Sequence, residues 1–296
     1  MKSNIGLVYA MSAYLWWGII PIFWKQLDHV PSIEIVAHRV IWGFILVLGF
    51  IIVAGQLRVF LQIFKDRLTM VRLFLASTLV TANWGIFIWA VNNDFIVETS
   101  LGYFINPLIT VLFGLLFFGE SLRPAQKLAL LIAAGGVVVM VVATGGLPLI
   151  SLSLATTFAL YSVMKKKVSL PASHGLAFET LLMVIPAMLF ILYYVSSGAN
   201  NFQPSEQPAT SFMLILGGLF TLIPLLLFAA AAKRVSLVAL GMTQYLGPTC
   251  QLLIAVFIYQ EPFDQINLIA FSFIWLALIV YTIDQINTRR KQRRTT

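Results

Sequence analysis

Four ionisable side chains lie in long apolar stretches: Glu34, His38 and Arg39 in one, Glu179 in another. Charge at membrane depth is costly, so each is a candidate for pairing, gating or proton transfer. Glu34 and His38 are four residues apart and share a helix face, with Arg39 beside it. Counting along that stretch puts His38 and Arg39 several ångströms into one leaflet. His38 and Glu179 fall at equivalent positions 141 residues apart, and a carboxylate and an imidazole so related could form gates or a proton relay. A structural ion pair, or side chains snorkelling to the interface, is the plain alternative.

A second constellation is polar and aromatic. It comprises Tyr14, Trp16, Trp17 and Pro21, then Asn83, Trp84, Trp89, Asn92 and Asn93, then Tyr103 and Asn106 beside Pro107, and finally Gln244 and Tyr245 before Pro248. Proline in an apolar helix frees the carbonyl about four residues back, which makes Pro107 and Pro248 expected hinges. Trp17, Asn83, Tyr103, Asn106, Gln244 and Tyr245 are the expected substrate-binding residues. For Trp16, Trp84 and Trp89 an interfacial aromatic belt is the simpler role. Glu120 and Glu261 each precede a loop and read as caps for the next short turn. Cys250 is the sole cysteine, so no intramolecular disulfide forms and a packing role is expected.

Signatures of catalysis are missing. The sequence has no HExxH, no glycine-rich phosphate loop and no Cys/His set with zinc spacing, and His29, His38 and His174 are scattered. No catalytic residue, metal or cofactor is expected. The missing nucleotide motif excludes a primary pump on this chain alone.

The elements that must position these residues follow from composition. Sixty per cent of residues are hydrophobic and ten per cent charged, with mean hydropathy +0.93. A soluble domain carries about a quarter charged residues, so this surface belongs in hydrocarbon. Apolar runs of helix-spanning length predict an all-α membrane protein. Ten runs can be placed, near 5–26, 33–53, 70–92, 96–118, 125–143, 147–165, 174–196, 210–232, 236–258 and 266–285. The fifth and sixth are separated by a turn at Thr144-Gly145-Gly146-Leu147-Pro148. The first run lacks a small-x-small cleavage site and is expected to be retained.

The chain also repeats. GYFINPLITVLFGLLFFGE, from Gly102, returns as QYLGPTCQLLIAVFIYQE, from Gln244, with Pro107 aligned to Pro248 and Glu120 to Glu261 at an offset of 141 residues. The same offset joins Phe104 to Tyr245, Lys25 to Lys166 and His38 to Glu179. Residues 1–144 and 145–288 then form two five-helix repeats, followed by a basic tail at 289–296. An odd number of spans inverts the second copy, the construction many secondary transporters use for a site near the bilayer midplane.

Basic residues set the orientation. Arg58, Lys65, Arg67, Arg123, Lys127, Lys165–Lys167, Lys233, Arg234 and the tail fall on one face, expected to be cytoplasmic together with both termini. Asp28, Asp94, Glu98, Glu206, Glu261 and Asp264 fall on the other. This asymmetry explains the net charge of +8, and the tail is expected to meet anionic lipid rather than nucleic acid.

AYLWWGIIPIFWK (Ala13–Lys25), AHRVIW (Ala37–Trp42), NWGIFIWAVNN (Asn83–Asn93), ETSLGYFINPL (Glu98–Leu108) and QYLGPT (Gln244–Thr249) resemble the RarD branch of the EamA-type drug/metabolite transporters. The resemblance runs through both repeats. It implies a ten-helix bundle of two inverted halves in a bacterial inner membrane, exporting or exchanging small organic solutes. It also carries the label of a chloramphenicol-sensitivity permease. It assigns no site residues.

The leading reading is a carrier working by alternating access, with a small-molecule substrate held between the halves. A lipid-modifying enzyme using His38 as base and Glu34 to orient it is one rival. A channel or receptor is another. For the topology, Asn200→Cys should react with a membrane-impermeant thiol reagent applied outside the cell and Lys166→Cys should not. The reverse pattern overturns the orientation.

Overall fold

A computed structural model describes residues 2–93, 95–144, 148–260 and 265–295. Among the described residues there is no strand. The helices are α1 (Lys2–Ile19), α2 (Pro21–Trp24), α3 (Ser32–Val53), α4 (Leu57–Gln62), α5 (Arg67–Asn92), α6 (Ile96–Phe118), α7 (Pro124–Thr144), α8 (Leu149–Lys167), α9 (Ala172–Ser196), α10 (Pro208–Ala232), α11 (Leu237–Gln244), α12 (Leu246–Phe257) and α13 (Gln265–Thr295).

Nine segments among the described residues are long and apolar enough to cross a membrane. The remaining long helix, α8, has 19 residues and carries Lys165, Lys166 and Lys167 in its last turn. It is tied to its neighbours from end to end. Ser151 Oγ donates to Glu98 O near its start, and Arg72 Nη1 donates to Lys167 O at its close. The chain is thus an all-α, multi-pass membrane protein. Strongly exposed apolar side chains such as Leu131 (71%), Val142 (73%) and Phe257 (75%) would be a liability in water and are what a lipid-facing surface requires.

Three details differ from the expected runs. The first is interrupted at Ile20, where Pro21 opens α2, and the ninth is divided at Tyr245 into α11 and α12. The last expected span is extended, because α13 continues as helix to Thr295, through most of the basic tail. The predicted turn after Thr144 has its centre, 145–147, outside the described residues.

Helix neighbours are mostly far apart in sequence. α1 packs on α10, α11 and α12, and α3 on α9 and α10. α5 packs on α8 and α9, α6 on α8 and α11, and α7 on α13. In lipid, helices gain little by hiding apolar surface from each other, so close backbone approach at small residues matters. A Cβ added to Gly218 of α10 would stand 2.7 Å from the Gly43 nitrogen and 2.8 Å from the Trp42 carbonyl carbon of α3. Cys250 packs on Gly18 in the same manner, between α12 and α1.

Cross-links define the two ends of the bundle. Lys166 Nζ donates to Val235 O, Arg123 pairs with Asp284, and Gly6 abuts Arg234, so both terminal segments share a face with the basic connections. At the opposite face the 197–207 connection is tied to α3 through Glu34. Gly218→Ala should lower stability by about 1–3 kcal/mol through overpacking against backbone. Gly49→Ala, where nothing lies within 4 Å, should not. Thermal unfolding of both variants in detergent reads the difference.

Candidate functional site

A cavity of about 570 Å³ lies between α1, α3, α5, α6, α8, α10, α11 and α12. Its position follows from two broken helices. Pro21 and Pro248 lack the N–H that would continue the ladder, and both line the cavity beside the interruptions at Ile20 and Tyr245. At one end the wall reaches exposed Lys25, whose Nζ lies 3.8 Å from the centre of the Tyr259 ring. That end lies toward the face away from the termini. The other end stops at Tyr14, Trp17 and Phe158, which pack on Phe228 with ring centroids 6.2, 5.8 and 5.5 Å away. Tyr161 stacks on Phe228 beyond them at 5.9 Å.

Five of the six expected substrate residues line this space: Trp17, Asn83, Tyr103, Asn106 and Gln244. Asn83 Nδ2 donates to Leu154 O (2.8 Å) and Thr157 Oγ1 (2.9 Å), fastening α5 to α8. Asn106 Nδ2 donates to Ala155 O (3.0 Å), while its Oδ1 accepts from Gln244 Nε2 (2.8 Å) and Thr110 Oγ1 (3.2 Å). Gln244 Oε1 is buried with no partner among the described residues. An unmet buried acceptor costs about 1–3 kcal/mol, so a solute donor there would bind favourably. Tyr103 is 44% exposed in the cavity wall. Tyr245 is placed elsewhere, fully buried in an apolar cluster with its hydroxyl donating to Phe104 O at 3.2 Å.

The four intramembrane charges are not one cluster. Glu34 is completely buried and accepts from Asn201 N (2.7 Å) and Asn201 Nδ2 (2.8 Å), anchoring the α9–α10 connection on α3. His38 Nε2 is 4.0 Å from Glu34 Oε1, too far for a hydrogen bond, and the imidazole stacks on Phe202 at 5.0 Å. Neither ring nitrogen has a hydrogen-bond partner among the described residues. Arg39, one position on, turns into the cavity wall, where its Nε donates to Thr221 Oγ1 at 2.7 Å. The guanidinium lies over Trp24 at 4.8 Å and Trp84 at 5.3 Å. Glu179 sits deeper toward the terminal face, accepting from Lys165 Nζ (2.7 Å) and Tyr161 Oη (3.1 Å). It shares only a void of about 20 Å³ with Arg39.

Pro107 is buried inside an uninterrupted α6, whereas α11 and α12 part three residues before Pro248. Glu120 does not cap its own next turn. It accepts from Leu237 N (2.8 Å) and Val238 N (2.9 Å) at the start of α11, and pairs with Lys166 Nζ at 3.2 Å. A carboxylate there satisfies orphan amides and meets the positive helix end. Glu261 lies outside the described residues, as does the side chain of Asn92. Trp16 Nε1 donates to Phe220 O and Trp84 lines the cavity, so neither is an interfacial anchor, while Trp89 is 53% exposed. Sequence reasoning did not single out Trp24, Lys165, Tyr161 or Asn201. In the sequence Lys165 counts only among the basic residues at the end of the sixth run that set orientation, and its place 14 residues before Glu179 on the adjoining helix is the available signal.

Residues 4–142 match the EamA-like transporter family. The chain is 40% identical to the uncharacterized transporter YojE of Bacillus subtilis, over 99% of this chain and 98% of that protein. It is 37% identical to Protein RarD of Escherichia coli K12, over 98% of each. It is 29% identical to the chloramphenicol-sensitive protein RarD of Pseudomonas aeruginosa, over 99% of this chain and 98% of that one. A solved crystal structure at 21% identity shares the fold, with TM-score 0.72 over 96% of this chain and 99% of its own. With a cavity-bearing helical bundle and full-length relatives of this kind, the chain belongs to the EamA-like transporter family, in its RarD branch.

Proposed function

We propose that this transporter is a secondary carrier of small organic solutes, working by alternating access between two inverted five-helix repeats. The observation that carries the reading is a cavity lined by residues of both halves, with exposed Lys25 at one end and an aromatic cluster on Phe228 at the other. Its volume falls within the roughly 300–1,000 Å³ of small-molecule sites.

Packing supports the repeat. Advancing each long helix by five turns one set of neighbours into another: α5 on α8 becomes α10 on α1, α6 on α8 becomes α11 and α12 on α1, and α3 on α10 becomes α9 on α5. The pairs α3–α9, α6–α11 and α7–α13 map onto themselves. Phe104 and Tyr245, equivalent by the 141-residue offset, touch each other. The terminal face is held by Glu120, which joins the first half to α11 and to Lys166 of the second. In the alternate state those contacts part. Lys and Arg on the terminal face support an orientation with both termini in the cytoplasm and the bundle in a bacterial plasma membrane. A lipid-modifying enzyme is less well served, because His38 is stacked under Phe202 and does not line the cavity.

Leu154→Cys in a Cys250→Ser background places one thiol in the cavity wall. Impermeant reagents should label it from both faces in oriented vesicles, faster from the face away from the termini. Adding Glu120→Gln should raise the rate from the terminal face about fivefold, by the loss of roughly 1 kcal/mol at the closure. Labelling from one face only in both proteins rules out alternation. Flux of a panel including chloramphenicol then separates carrier from channel, since saturation and counterflow are expected only of the carrier.

A further inference from the structure

Among the described residues that line the cavity, the charged ones are Arg39 and Lys25, with no carboxylate beside them. Both are cations: Lys25 is exposed at one end of the wall and Arg39 is half-buried in it. Arg39 is held in place from three sides. Its Nε is spent on Thr221 Oγ1, and Thr221 in turn donates to Gly217 O at 2.8 Å, which fixes the hydroxyl. Trp24 and Trp84 cover the guanidinium. The two terminal amino groups of the fork have no acceptor among the described residues. Glu34, one turn away on α3, is already committed to Asn201, and Glu179 to Lys165 and Tyr161.

A half-buried guanidinium whose terminal N–H groups have no protein acceptor can take a planar anion on two of them at once, a charge-assisted contact stronger than a neutral one. Carboxylate matches the spacing of the fork. An ammonium would meet two like charges and gain no compensating carboxylate. The rest of the wall, with Trp17, Phe87, Phe158 and Tyr103, suits a ring rather than a polar chain.

We propose that the cavity selects aromatic monocarboxylates, with the carboxylate docked on the free edge of the Arg39 guanidinium and the ring against the aromatic wall. The proposal deepens the carrier reading and rests on this cavity being its substrate site. Exposed Lys25 adds a second positive charge at one end of the cavity, which favours anion approach at low salt.

The test uses three probes of one shape and different charge: 2-naphthoate, 2-naphthamide and 2-naphthylmethylamine. Each is titrated calorimetrically into purified full-length protein in nanodiscs. Naphthoate should bind at least about tenfold more tightly than the amide, as a charge-assisted bidentate contact requires, and the amine more weakly than either. Arg39→Gln should remove the preference for carboxylate over amide. Arg39→Lys, which keeps the charge but not the fork, should retain part of it, and its thermal midpoint shows whether the fold survives the change. Equal affinity for acid and amide overturns the proposal, as does a carboxylate preference that persists in Arg39→Gln, or no naphthoate binding at millimolar concentration. Counterflow of labelled naphthoate in proteoliposomes is read separately. Arg39-dependent binding without exchange would overturn the carrier reading and leave the anion site standing.

Discussion

A polar group inside a bilayer has no water to fall back on, and the bundle is organised around that constraint. The amides near the cavity do not wait for a solute. Asn83 donates to a carbonyl of α8, Asn106 to the next one along, and Ser77 to the carbonyl of Glu179 on α9. Each of these contacts uses a carbonyl already engaged in its own helix, so the tie adds an interhelical bond without opening the ladder. α8 is therefore the receiving post for α5 and α6. Its lower hydropathy follows from the same role, because a helix that serves as acceptor and polar partner carries Ser151, Thr157 and Ser162 where a lipid-facing helix would carry leucine.

The charged residues show the same economy from another direction. Glu34, Glu120 and Glu179 are each matched by donors that leave little of the carboxylate uncompensated. Arg39 is the exception among the intramembrane ions. Its company is one hydroxyl and two indoles, which support a cation without neutralising it. A transport site needs such incompleteness, since a pocket whose every group is satisfied offers a solute nothing to complete.

The helices were legible because the bilayer sets their length: α6 runs from Ile96 to Phe118, the bounds expected from the apolar run alone. Helix-breaking chemistry was legible in part. Pro21 and Pro248 accompany real interruptions, yet α6 runs through Pro107 unbroken. Partner choice was not legible. Nothing in the spacing joins Glu34 to Asn201, 167 residues on, or Glu120 to the start of α11. Such pairs are set by which helices meet, and that is decided by small-residue surfaces such as Gly43 against Gly218. Tyr245 shows how a usable clue was missed. Its aligned partner Phe104 is the residue it meets in the bundle, in an apolar cluster and not in the cavity wall.

The carboxylate of Glu120 has a consequence for the main chain. It belongs to the segment after α6 but closes the first amides of α11, so part of that helix is completed by a residue 117 positions earlier. In the alternation proposed above, parting of the terminal face would take the acceptor from the amides of Leu237 and Val238 and expose them to water in the same event. Their backbone protons would then exchange with solvent in proportion to the population of that open state. The main chain would thus report the open population of the proposed cycle, with no label added.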